Sequence, residues 1–216
     1  MDATVSVELG AEDAHLEIPW QSGGVRYYDL KRHPELLLEL PESHTREMAE
    51  FLTAMNSVLS MLETAKCDTW LSDKMEPQEE VYGAGWKFCS YVDLIFTDRS
   101  SWRTFTGHEN FAKRIARLLR RAPDLPSSAE FIVRRCRYGP KAGDGSGSES
   151  EASEGFYLTF YAFGYGDDED EARRRWGIGL KVAENALLQL SALHRRGSDQ
   201  TEPPPQETMR SMGNTG

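Results

Sequence analysis

Twelve residues in the middle of the chain, Trp86-Lys87-Phe88-Cys89-Ser90-Tyr91-Val92-Asp93-Leu94-Ile95-Phe96-Thr97, constrain its fold more than any other stretch. Four are aromatic and three are β-branched, a density that suits a pleated, covered surface and not the outside of a helix. We read the run as a central strand. Alternation sends Phe88, Val92, Leu94 and Phe96 to one face and Lys87, Cys89, Tyr91, Asp93 and Ile95 to the other. A central strand needs a neighbour on each side, and the rest of the chain has to supply them.

Further strand patterns come in pairs. His15 to Gln21 and Val25 to Lys31 flank Ser22-Gly23-Gly24, the composition of a hairpin loop. Glu130 to Tyr138 and Phe156 to Tyr165 flank residues 139–154, a run of Gly, Ser, Asp and Glu with almost nothing to bury, read as a flexible loop that leaves its two strands antiparallel.

Three helices are expected. The first runs from Ser43, its N-cap, to Lys66, with Met48, Leu52, Met55, Leu59 and Leu62 as the apolar stripe. The second, 106–122, opens on the reciprocal capping pattern Thr106-Gly107-His108-Glu109, buries Phe111, Ile115, Leu118 and Leu119, and stops at Pro123. The third opens on Asp167-Asp168-Glu169-Asp170-Glu171 and ends at Arg195-Arg196-Gly197, each charge matched to the helix dipole, with Trp176, Leu180, Ala183, Leu187 and Leu190 facing inward.

Residues 68–80 read as a polar connection, 1–13 as a loose arm or edge strand, and 198–216, with Pro203-Pro204-Pro205, as a disordered tail. The order predicts one α+β domain over residues 14–197, built on a mainly antiparallel sheet of about five strands with three helices on one face.

Charge excludes some functions and leaves others open. The net charge of −10 argues against a nucleic-acid coat or a polybasic lipid binder. It hides an asymmetry, because residues 99–137 carry ten basic and three acidic side chains, a net of +7. No apolar run approaches the ~18–20 residues of a membrane helix. Met1-Asp2-Ala3-Thr4 lacks the basic and apolar regions of a secretory signal, and three cysteines at 67, 89 and 136 show no C-x-x-C spacing, so we expect the cytoplasm.

The motifs are fragments. Histidines at 15, 33, 44, 108 and 194 form no ligand-spaced pair, and no metal site or cofactor is predicted. Gly164-Tyr165-Gly166 links a strand to a helix as in dinucleotide-binding turns, but Glu169 replaces the third glycine and five acids stand where a pyrophosphate would lie. No serine sits in G-x-S-x-G, and the cysteines read as structural thiols.

Three functional readings remain. The first is a non-enzymatic binding or regulatory module that docks an acidic protein, or a second copy, through Arg114, Arg117 and Arg121 of the basic helix and Arg134 and Arg137 of the strand, beside Tyr157 and Tyr161. In the second, Lys87, Tyr91 and Asp93, with Arg134 and Tyr161, line an enzyme or small-ligand pocket on the sheet. The third has those arginines and tyrosines holding single-stranded nucleic acid, a reading opposed by the acidic loop at 144–154. The competing bland account has the arginines paired with acids of residues 1–98.

Overall fold

A computed structural model describes residues 1–10, 16–22, 25–98, 101, 103–139 and 153–199. In chain order the elements are β1 (Asp2–Glu8), β2 (Leu16–Ile18), β3 (Gln21–Ser22), β4 (Val25–Arg26), 3-10 turns at Pro34–Glu39 and Pro41–His44, and α1 (Arg46–Met55). Then follow β5 (Leu62–Ser72), a 3-10 turn at Pro77–Tyr82, β6 (Trp86–Phe96), α2 (Phe105–Leu119), β7 (Ser127–Tyr138), β8 (Ser153–Gly166) and α3 (Glu169–Asp199). The predicted turn at Gly23-Gly24, most of the 139–154 loop and the tail from residue 200 lie outside the described residues.

The class is α+β, but the sheet is mixed and has six strands. Its order is β1-β7-β8-β6-β5, with β2 continuing the β1 edge beside β7. Pairings among β5 to β8 are antiparallel, while β1 and β2 run parallel to β7. A parallel partner 126 residues away, Asp2 beside Ser128, is invisible to a reading that pairs strands through short loops. The expected hairpin of residues 15–31 dissolves accordingly: Leu16–Ile18 joins β7, and only a two-residue ladder, β3 with β4, remains.

The predicted helix 43–66 is split. Met48, Phe51, Leu52 and Met55 are buried as the stripe required. The helix then stops at Asn56, whose side-chain amide donates to Leu52 O and Thr64 Oγ1 while its Oδ1 accepts from the Thr64 amide. That bridge turns the chain into β5, so Val58 and Leu59 are exposed and Leu62 is buried as a strand residue. β5 continues into the first five residues of the expected polar connection, as far as Ser72. In α2 the chain enters at Thr104, two residues earlier than the capping box implied, and no side-chain cap bond forms there.

All three helices lie on one face. Trp176 of α3 packs on Phe88, Phe51 of α1 on Phe160, and Phe111 of α2 on Phe96, with ring centroids 4.7, 5.6 and 5.1 Å apart. Glycines permit the closest approach. A Cβ on Gly164 would stand 2.0 Å from Trp176 N, and one on Gly166 2.4 Å from Ala172 N. The G-x-G of the sequence is thus a helix-packing device and not a phosphate cradle.

Among the described residues the opposite face carries no α-helix. Residues 18–22 and 25–44 cover one end of it, tied down by Lys31 Nζ, which donates to Ser60 O and Leu62 O, and by Trp20 Nε1, which donates to Ala65 O. The 3-10 turn at Pro77–Tyr82 covers the other end.

Candidate functional site

Strand register decides which predicted residues can act together. Arg134 faces Tyr157, Glu130 faces Tyr161 and Asp93 faces Thr159 across the sheet. Directly opposed residues share a face, so Tyr91, Asp93, Arg134, Tyr157 and Tyr161 all lie on the helix-free side. Arg137, three residues from Arg134, is on the helix side with Arg114 and Arg117 of α2 and with Arg121 just past its end. The single arginine and tyrosine surface expected from sequence is therefore two surfaces separated by the sheet.

On the helix-free face a row of rings crosses three strands. Trp70 to Tyr91, Tyr91 to Tyr161 and Tyr161 to Phe163 are 6.5, 5.9 and 6.1 Å between centroids. Beneath it, Thr159 Oγ1 donates to Asp93 Oδ1 at 2.7 Å, and Arg134 Nη1 donates to Thr159 Oγ1 at 3.3 Å. Arg134 is otherwise engaged by Glu8, whose Oε2 accepts from Nε and Nη2 at 3.0 and 2.7 Å. Burial pushes the Asp93 carboxyl up to about 6, against the Thr159 bond and the charges of Arg134 and Lys66.

Lys87 shares this face but not this cluster. Six residues of strand, about 20 Å, separate it from Asp93. It donates to Glu79 Oε2 at 2.5 Å, Tyr165 OH donates to Glu79 Oε1, Ser128 and Tyr165 share a hydroxyl bond, and Tyr82 stacks on Tyr165 at 4.0 Å. This network fastens the Pro77–Tyr82 turn to the sheet.

Two clefts open on the face. One, of about 570 Å³, lies between residues 26–42 and Tyr91, with Trp20, Tyr28, Leu40 and Cys67 in its wall. The other, of about 820 Å³, is lined by Asp2, Glu76, Glu79, Glu130, Phe163 and Tyr165 together with Lys87 and Arg120. Asp93, 5% exposed, lines neither. Burial pushes the thiols of Cys67, Cys89 and Cys136 up to about 12, which leaves no nucleophilic thiolate at neutral pH. Among the described residues no cluster of His, Cys, Asp and Glu is placed to hold a metal, and no helix is long and apolar enough to cross a membrane.

Around α2 the helix side is basic. Arg114 and Arg117 are exposed along α2, and Arg121 is exposed two residues past its end. At the start of α2, where Phe105 meets Phe156, a cleft of about 450 Å³ is lined by Arg103, Arg135, Arg137 and Glu154. Lys113 is paired with Glu109, and Arg120 Nε donates to Ala3 O. Among the described residues Arg103, Arg114, Arg121, Arg135 and Arg137 have no carboxylate within 4 Å. Arg103 and Arg135 were missing from the expected set. Two-residue alternation links Arg135 to Arg137, whereas Arg103 precedes the helix and only the fold brings it in.

Comparison with protein families, with curated proteins and with solved structures returns no match.

Proposed function

We propose that the chain is a non-enzymatic docking module whose basic face, formed by α2 and the adjoining ends of β7 and β8, takes an acidic protein surface. One observation carries this reading: five arginines of that face meet no carboxylate of the described residues, in a chain with 35 acidic residues and a net charge of −10. Across the sheet, by contrast, Arg134 is neutralised by Glu8. Concentrated, unneutralised charge of one sign steers association with a surface of the opposite sign.

Nucleic acid fits this face poorly. Single strands are held by stacking beside cations, and Tyr157 and Tyr161 lie across the sheet from these arginines. The test is retention on immobilised poly-glutamate, with single-stranded DNA as the competing probe. The wild-type chain is expected to bind poly-glutamate in a salt-sensitive way, and Arg114→Glu/Arg117→Glu/Arg121→Glu to weaken that binding by about tenfold or more. Equal or tighter retention on DNA, or a triple variant that binds like wild type, overturns the reading.

A further inference from the structure

Resting on that reading of the basic face, we infer that its acidic partner is a second copy of this chain, which offers the 820 Å³ cleft on the helix-free side. The cleft carries four carboxylates, Asp2, Glu76, Glu79 and Glu130, against two cations. Both cations are engaged within their own molecule, Lys87 by Glu79 and Arg120 by the Ala3 carbonyl. Asp2 and Glu76 are exposed and Glu130 half-exposed, so the mouth of the cleft is negative.

Its wall adds the rings of Phe163 and Tyr82. A planar guanidinium is the cation that combines carboxylate bonding with stacking on aromatic faces, which makes arginine a better occupant than lysine or a hydrated metal ion. Arg114 and Arg117 present two such groups about one turn apart on α2, and Arg121 a third just past its end. None of them lines the cleft of its own molecule, and Arg114 and Arg121 meet no carboxylate of their own chain among the described residues. The complementary surfaces therefore meet between copies. The contact is heterologous: each molecule gives its helix to one neighbour and its cleft to another.

Sedimentation velocity on the full chain tests this from micromolar to near-millimolar concentration, at low and high salt. Wild type is expected to self-associate with concentration and to revert to monomer in high salt. Two variants separate the surfaces, Arg114→Glu/Arg117→Glu/Arg121→Glu and Asp2→Lys/Glu130→Lys, each checked for a wild-type circular-dichroism melt. Each alone is expected to stay monomeric. Their equimolar mixture is expected to form a one-to-one pair and grow no further, because one keeps only its cleft and the other only its basic helix. If the cleft variant does not fold, Glu76→Gln, which removes one charge at the rim, is expected to weaken wild-type association measurably. A wild-type monomer at every concentration in low salt, or association indifferent to both variants, overturns the proposal. If such a monomer still binds poly-glutamate through Arg114, Arg117 and Arg121, self-pairing fails while the docking reading stands. If it binds neither, both fail.

Discussion

The Thr159 hydroxyl donates to Asp93 at 2.7 Å, while the nearest guanidinium, that of Arg134, is bonded to Glu8. Asp93 is thus buried in the middle of the sheet with a neutral hydroxyl as its hydrogen-bond donor, and burial prevails over the nearby charges, pushing its carboxyl up to about 6. The folded value lies above the ~3.9 of an unfolded aspartate. The native state therefore binds more protons than the unfolded state between those values, and this group's contribution to stability rises as pH falls from above 6 toward 4. Asp93→Asn is expected to raise the unfolding free energy at pH 7.5 by about 1–3 kcal/mol and to abolish that gain on acidification. Urea denaturation at pH 7.5 and 5 measures both. A destabilised variant with the wild-type pH slope contradicts the account.

His108 works in the opposite direction. Its Nδ1 lies 2.9 Å from Thr104 O, which only accepts, so Nδ1 carries the proton, and Nε2 is buried near the Phe156 backbone with no well-formed hydrogen bond among the described residues. Burial lowers its affinity for a second proton. With the folded value below the unfolded ~6.5, the unfolded state binds more protons and stability is lost as pH falls through that window. His108→Phe, a ring for a ring against Phe96, removes this loss. At pH 7.5 it is expected to change stability by no more than about 1.5 kcal/mol, one lost hydrogen bond set against one removed orphan. Equal destabilisation of variant and wild type between pH 7.5 and 5 would sink the assignment.

These groups also show what the sequence reveals and what it does not. Local periodicity identified the β6 core, and every residue of the α3 stripe from Trp176 to Leu190 is buried as expected. Alternation already placed Arg134 and Arg137 on opposite faces, since three residues along a strand reverse the side. Grouping them by charge overrode that rule. Other features had no local signal. Asn56 ends α1 through a partner eight residues on, Glu8 finds Arg134 only because β1 lies parallel to β7, and Lys87 is held by Glu79 only because a 3-10 turn folds back over the sheet. Each depends on contacts that exist once the chain has folded.

Gly164 is a position where no side chain fits. A Cβ there would lie 2.0 Å from Trp176 N and 2.4 Å from Ala172 O, both backbone atoms of α3, so relief requires moving the helix off the sheet. Gly164→Ala is expected to cost more than about 3 kcal/mol or to prevent folding. Gly83, at φ +59° with open space around its Cα, is the control. Gly83→Ala pays only the left-handed backbone penalty of about 1–2 kcal/mol. Thermal melts compare the two, and similar losses would show that helix-to-sheet contact at Gly164 is not the constraint.

Lys87 and Glu79 form an ion pair with side chains 11% and 9% exposed. Burial pushes the Glu79 carboxyl up, but the Glu76 amide, Lys87 and Tyr165 together hold it below the usual carboxylate range. Its stabilisation is present above the unfolded value of ~4.3 and lost as pH falls through the folded one. Lys87→Met removes the ammonium and leaves the carboxylate buried beside one hydroxyl and one amide, at a cost of about 3–5 kcal/mol. Lys87→Met/Glu79→Gln removes both charges and keeps an acceptor for Tyr165, so it is expected to recover most of that loss. A double-mutant cycle in urea reads the coupling. If the double variant is as unstable as Lys87→Met alone, the loss comes from the missing lysine stem and not from an unpaired charge.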